Sequence, residues 1–211
     1  MKTVFEPIPF DASTEIPVME EFYTLQGEGK HTGRAAYFIR LAGCDVGCTW
    51  CDVKESWPVE PRQLVKINSL VKNAQKYPGR FVVITGGEPT LYDLKPLTFA
   101  FHTAGFMLAI ETSGTNKLTG DFDWVCLSPK KFKPALDQNY GIADELKVIV
   151  YNKHDLEWAT DLATKTNSTC CLYLQPEWNK AAEVIPLIVD FVKNNPRWRI
   201  SLQTHKYLDI P

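Results

Sequence analysis

GCDVGCTWCD, residues 43–52, places Cys44, Cys48 and Cys51 at the spacing C-x3-C-x2-C. Stable cluster ligation normally takes four cysteines, so three thiolates fill three corners of an iron-sulfur cube and leave one iron without a protein ligand. An open iron is a place for chemistry. A structural zinc site instead wants four ligands in closed tetrahedral geometry, and the neighbouring histidines, His31 and His102, stand at no finger-like spacing. Zinc stays as a second reading of the loop. A third treats the cysteines as small buried hydrophobes, which sits poorly with Gly43, Asp45, Gly47 and Thr49 around and between them.

Upstream, AAYFIRLA at 35–42 is a compact apolar run bounded by glycines, the pattern of a buried strand ending at the cysteine loop. Arg40 interrupts it. A buried guanidinium is costly unless it meets an anion, so Arg40 either pairs with a structural carboxylate or offers its planar fork to a ligand carboxylate. Before it, VMEEFYTLQ at 18–26 reads as a strand. Gly27, Gly29 and Gly33 then make a loop able to pass close to a ligand, or a plain hairpin turn. Residues 1–17, with Pro7, Pro9 and Pro17, read as an extended arm.

Downstream, Pro61 opens a helical pattern in which Leu64, Ile67, Val71 and Ala74 share one face. RFVVITGGEP follows as strand and loop. Gly86 and Gly87 let backbone approach a ligand; a plain glycine turn is the alternative. Helix is expected over 91–105, 154–166 and 181–193, and strand over 106–111, 123–128, 145–150, 169–174 and 198–203. Such alternation means βα units and a mainly parallel sheet. The polar segments GGEP, ETSG at 111–114, SPK at 128–130 and LQPE at 174–177 follow predicted strands, as the cysteine loop does, and strand ends are the usual ligand face of βα folds.

The 211 residues suffice for one sizeable core but fall short of an eight-unit βα barrel of about 250 residues, so a single domain over 1–211 is expected. A net charge of -2 gives no basic excess for nucleic acid or a membrane surface and leaves a small molecule as the easier partner. The start lacks a basic, apolar signal pattern and no apolar run approaches about 18 residues, so a cytoplasmic protein is expected. Cys126, Cys170 and Cys171 lie in apolar strand text and read as buried structural thiols. There is no internal repeat or low-complexity tract.

Together with the cysteine loop, YTLQGEG (23–29), FIRLAGC (38–44), TGGEPTL (85–91), SPK, LQPE and the final QTHKYLDIP resemble the radical S-adenosylmethionine enzymes. Within these, the chain resembles the 7-carboxy-7-deazaguanine synthases over nearly its whole length. The resemblance implies a partial βα barrel and a 4Fe-4S cluster on Cys44, Cys48 and Cys51, whose open iron is chelated by S-adenosylmethionine. One-electron reduction of that cofactor would release a 5'-deoxyadenosyl radical. It would abstract hydrogen from 6-carboxy-5,6,7,8-tetrahydropterin, whose ring contracts with loss of ammonia on the way to queuosine.

Carried over by position, Trp50, Cys51, Asp52, Gly87, Ser113, Ser128, Pro129 and Lys130 would meet the cofactor, Glu88 would accept from its ammonium, and Gln175, Pro176, Glu177 and Trp178 would close on its adenosine end. Leu25, Gln26, Gly27, Arg40, Thr85 and Pro211 would meet the pterin, the last through a terminal carboxylate matching paired N–H donors, with the Asp209 carboxylate as the alternative. His205 is a further candidate, and reads equally as a solvated histidine. Val53 stands where the resembled family commonly has a hydroxyl ligand for Mg2+, and valine cannot coordinate a hard cation. The ion is therefore expected to rest on substrate oxygens and water, or to be dispensable. An electron donor such as flavodoxin or ferredoxin and a homodimer are also implied. Two rivals stay open: an activase that makes a glycyl radical on a partner protein, and a non-catalytic iron-sulfur module, which predicts a fourth protein ligand.

Overall fold

The computed structural model describes residues 14–211. Strand β1, Glu15–Leu25, runs antiparallel to β2, Ala35–Leu41, and to a short edge strand β3, Leu64–Lys66. From β2 onward the pairing is parallel, through β4 (Phe81–Gly86), β5 (Met107–Thr112), β6 (Trp124–Leu127), β7 (Glu145–Val150), β8 (Cys171–Pro176) and β9 (Trp198–Ile200). Among the described residues this makes one sheet in the order β3-β1-β2-β4-β5-β6-β7-β8-β9, which does not close on itself. The open, mainly parallel partial barrel expected from the sequence is the observed architecture.

The period of two along each strand decides the layers. Tyr37, Ile39 and Leu41 of β2 point outward with Val82, Ile84, Leu108 and Ile110, against Leu70 of α1 (Ile67–Ala74) and Leu97 and Phe101 of α2 (Lys95–Thr103). Leu146, Val148, Leu172 and Leu174 do the same against Ala159 of α4 (His154–Ala163) and Ile188 of α5 (Ala181–Asn194), while the short α3 (Asp137–Gly141) supplies Tyr140. Each such fully buried side chain contributes about 1.5–3 kcal/mol. The opposite face carries a small cluster, Ala36, Phe38, Phe81, Val83 and Ala109. Beyond these residues it turns polar, and the inside of the barrel is left for a ligand.

Because β1 is antiparallel to its neighbour, the chain leaves it at the end of the barrel opposite the cysteine loop. The QGEG segment therefore closes the far end and bridges the gap between β1 and the last strand. Gly29 N donates to Ser201 Oγ at 2.9 Å, Thr204 N and Oγ1 both donate to the Gly27 carbonyl at 2.9 Å, and Gln203 Nε2 donates to Glu28 Oε1 at 2.9 Å. A Cβ on Gly27 would lie 2.1 Å from His205 Nδ1, so the seam requires glycine.

Three expectations need correction. The arm over 1–17 lies mostly outside the described residues, and its last three, Glu15, Ile16 and Pro17, belong to β1, held by pairing with β3. The helix expected from Pro61 begins only at Ile67. A capped turn over Pro61–Gln63 and the pairing of Leu64–Lys66 with β1 intervene, leaving Leu64 on the surface, 48% exposed. Strand pairing overrode a helical spacing that Leu64 met by coincidence. The strand expected over 198–203 stops at Ile200, and the tail folds into α6, Thr204–Leu208, ended by Asp209 in the left-handed region (φ 54°).

Candidate active site

A cavity of about 710 Å³ runs down the inside of the barrel from the cysteine loop to the QGEG floor, within the usual size for a small-molecule site. At its upper end the loop 43–52 is held at its base. Gly43 N and Cys44 N donate to the carbonyls of Ser56 (2.7 Å) and Trp57 (3.1 Å), and the Tyr92 hydroxyl donates to the Ala42 carbonyl at 2.7 Å. Lys133 Nζ ties down the outer turn through Asp45 Oδ2 at 2.7 Å. Cys44, Cys48 and Cys51 all line the cavity and all are partly exposed.

Among the described residues no three His, Cys, Asp or Glu side chains are drawn together as a finished metal site. The fit lies in the donor set. Three soft sulfurs come from one anchored loop onto one wall, with the Val46 N–H already donating to Cys44 Sγ at 3.4 Å, as cluster sulfurs are commonly supported. Burial raises the Cys48 thiol above its ordinary value. Cys126 and Cys170 are buried, as expected of structural thiols, whereas Cys171 is partly exposed.

The GGEP loop packs directly under this turn. Gly87 N donates to the Leu41 carbonyl at 3.0 Å and Glu88 N to the Gly43 carbonyl at 2.8 Å, while a Cβ on Gly87 would sit 2.0 Å from the Gly43 oxygen. Backbone contact this close is possible only for glycine. Glu88 lines the cavity and is held there by its neighbours. Its carboxylate is 1% exposed; Oε1 accepts from Thr90 N (3.0 Å), Thr90 Oγ1 (2.7 Å) and Thr112 Oγ1, and Oε2 from Ser113 N (2.8 Å) and Ser113 Oγ. These bonds clamp the ends of β4 and β5 together at the cavity wall, which Glu88 lines.

Of the other positions expected around the cofactor, Trp50, Asp52, Ser113, Ser128, Lys130, Gln175, Pro176, Glu177 and Trp178 line the cavity. Pro129 is buried outside its wall. Lys130 Nζ donates to Ser128 O at 2.5 Å and Ser128 Oγ at 2.9 Å, and burial lowers its pKa. The tail binds the rim: Lys206 Nζ reaches Asp52 Oδ2 at 3.0 Å and lies 4.9 Å over the Trp178 ring, which Tyr207 meets edge-on.

Leu25, Gln26, Gly27, Arg40, Thr85, His205 and Pro211, the positions expected around the substrate, line the same cavity. Arg40 meets the first of its sequence alternatives, a structural carboxylate, and lines the cavity where the second would place a ligand. Its Nε is paired with Glu20 Oε1 at 2.7 Å, and it stands opposite Glu20 in the β1–β2 register, two residues beyond Phe38 on the inner face. That pair leaves the two terminal nitrogens able to meet a carboxylate end-on.

The floor itself was not anticipated. Lys147 Nζ, with a side chain 4% exposed, bonds Glu28 Oε2 and reaches Glu111 Oε2 at 3.2 Å, while Gln26 Nε2 donates to Glu111 Oε1 at 2.8 Å. Burial alone would raise the Glu28 carboxyl; the Lys147 charge and its hydrogen bond overcome this and hold it at about 2. Burial would likewise lower Lys147, and its two carboxylates raise it well above the ordinary value. A signal existed in the sequence. Lys147, with Glu145, in ELKVIV and Glu111 in FMLAIE are charges in apolar strand text, as Arg40 is, and such charges must point at one another or at a ligand.

Comparison with known proteins bears on this geometry. The radical SAM superfamily model matches residues 38–158. The 7-carboxy-7-deazaguanine synthase of Flavobacterium psychrophilum is 56% identical over 93% of either chain, and that of a Synechocystis strain 45% identical over 97% of this chain and 98% of its own. The chain belongs to the 7-carboxy-7-deazaguanine synthase family of radical SAM enzymes. The crystal structure of QueE from Escherichia coli superposes with a TM-score of 0.84 at 34% identity, covering 92% of this chain and 96% of that one. Membership in this family makes the chain a radical SAM lyase and sets aside the activase, zinc and electron-transfer readings. Among the described residues no helix is long and apolar enough to cross a membrane.

Proposed function

We propose that the chain contracts the ring of 6-carboxy-5,6,7,8-tetrahydropterin to 7-carboxy-7-deazaguanine with loss of ammonia, and that residues 1–211 work as one domain. The observation that carries this reading is a single cavity with three thiols at one end and a guanidinium above a charged, hydrogen-bonding floor at the other. A 4Fe-4S cluster on Cys44, Cys48 and Cys51 and a bound S-adenosylmethionine supply a 5'-deoxyadenosyl radical when present. The protein orients and shields. Trp50, Ser128 and Gln175 to Trp178 flank the cofactor, and the Gly87 backbone lets it lie close to the cysteine loop. Arg40, pre-aimed by Glu20, takes the pterin carboxylate. Gln26 and the Gly27 backbone meet the ring, and the interlocked floor keeps bulk water from the reacting carbon.

Anaerobic reconstitution followed by mass analysis of products, with and without the pterin, tests the reading. Cofactor cleavage without conversion of the pterin would sink it. A low-potential donor such as flavodoxin or ferredoxin, a homodimer and a cytoplasmic location belong to the same proposal, supported by the family's chemistry.

Arg40→Lys keeps the charge and loses the fork. It is expected to weaken pterin binding by about 1–3 kcal/mol while leaving S-adenosylmethionine affinity unchanged, read by titration of each ligand. Equal loss for both would make Arg40 purely structural. For Mg2+ the expectation is independence from any side-chain ligand. Val53 brings only an apolar side chain to the cavity wall, and the hydroxyl of neighbouring Ser56 is buried and donates to the Val53 carbonyl at 2.7 Å. Turnover should change little on chelation, or Mg2+ should bind only with substrate; tight Mg2+ binding to the substrate-free enzyme contradicts this.

A further inference from the structure

At the closed end of the barrel the His31 ring is packed against Phe81 (centroids 4.9 Å apart) and edge-on to Trp124 (4.8 Å). Its Nε2 is sealed from solvent and has no hydrogen-bond partner in the protein, yet the residue as a whole is only partly buried. An unpartnered buried polar atom is costly and calls for a ligand. Beside this ring lies a second cavity, about 10 Å³, lined by His31, Trp124, Cys126 and Glu145 on one side and by Gln26, Glu28 and Glu111 on the other. That is the space of one water molecule, which needs about 10–15 Å³ and two to four polar partners. Gln26, Glu28 and Glu111 also line the main cavity, so the small cavity lies directly behind the active-site floor.

We propose that this cavity holds one ordered water bonded to His31 Nε2 and the Glu111 carboxylate, and that water and imidazole form a proton route between the active-site floor and solvent at the closed end. An imidazole can take a proton at one nitrogen and release it from the other. The charged groups around it are Lys30 and Arg34 on its own loop, Glu145 and Lys147 on β7, Glu111 on β5 and Glu28. Burial, with Arg34 and Lys30, lowers the His31 pKa, so the resting ring is neutral and keeps one nitrogen as acceptor. Glu145 is already engaged, accepting from Lys30 N at 3.0 Å and Trp124 Nε1 at 3.2 Å.

The use of such a route rests on the proposed reaction. There two carbon-bound hydrogens of the substrate are lost and the expelled ring N–H gains two to leave as ammonia, so no net proton is released. A shielded site must carry at least one of these from carbon to nitrogen as a proton, and the relay buffers one proton at a time with no change of oxidation state.

Two variants and a crystal structure test this. A high-resolution structure of the wild-type protein should show a single water between His31 Nε2 and Glu111. His31→Phe keeps the ring stacking without nitrogens, and His31→Gln keeps polarity without relay. Both should lower pterin turnover about tenfold or more and alter its solvent deuterium isotope effect, with cluster content and cofactor cleavage as in wild type. A dry cavity, or turnover and isotope effect unchanged in both variants, overturns the proposal. Failure of the wild-type enzyme to convert the pterin would sink the functional reading instead, and the water site would then stand or fall on the crystal structure alone.

Discussion

Replacing any one of Cys44, Cys48 and Cys51 by Ala is expected to abolish the cluster and all reductive cleavage of S-adenosylmethionine, while Cys126→Ala keeps both. Nothing nearby can stand in for a lost thiolate. Of the carboxylates lining the same cavity, Asp52 is bound to Lys206 and Glu88 is saturated by Thr90, Thr112 and Ser113. Two sulfurs and an open iron do not hold a cubane against solvent. Cys126 sits at the other end of the barrel, buried beside Glu145, to whose Oε1 its thiol donates at 3.6 Å, out of reach of the cysteine loop. Iron content and 5'-deoxyadenosine formation, measured on each folded variant, decide the matter. A Cys126→Ala protein that keeps its fold and loses iron would overturn the ligand assignment.

Lys147→Met is expected to be the most destabilising single change at the floor, by about 3–5 kcal/mol at neutral pH, because it leaves Glu28 and Glu111 facing each other without the cation between them. For a chain of this length that lowers Tm by roughly 10 °C. The sign with pH follows from Glu28. Its folded pKa lies below the ordinary 4.5, at about 2, so in the wild type its contribution is complete above pH 4.5 and is lost as pH falls towards 2. Without Lys147, burial raises the same carboxyl, and it takes up a proton at higher pH. The deficit of Lys147→Met should therefore shrink on mild acidification, and Glu28→Gln in the same chain should restore part of it at pH 7. Thermal unfolding of the wild type and the two variants at pH 7 and pH 5 checks this. A deficit that stays constant between those pH values would mean that the lost side chain acted through packing alone.

Much of the architecture was legible in advance because it depends on local pattern. Alternating apolar strands and amphipathic helices dictate a mainly parallel sheet, and glycine and proline mark the strand ends where ligands bind. ELKVIV at 145–150 and AAYFIRL at 35–41 coincide with β7 and β2, and Arg40, a charge in an apolar strand that must meet an anion, lies on the cavity wall paired with Glu20. The three cysteines needed only their spacing, since ligands within eight residues of one another share a loop whatever the rest of the chain does.

The floor could not be read this way. A period of two says which face of a strand a charge occupies, but not which charge lies across the barrel from it. Lys147 meets Glu28 over 119 residues of sequence and Glu111 over 36. That meeting depends on the antiparallel turn of β1, which carries QGEG to the end of the barrel away from the cysteines. The same reversal gives Gly27 its contact with His205, sets QGEG against Ser201, Gln203 and Thr204 just past the end of β9, and seals His31 Nε2 behind the site. Glu88 makes the converse point: its place in the GGEP loop follows from the sequence, but the hydrogen bonds of its carboxylate depend on the hydroxyls of Thr112 and Ser113 at the end of the next strand. Local periodicity determines the elements and their faces; long-range pairing of buried charges, each costly to bury alone, determines which side chains share the site.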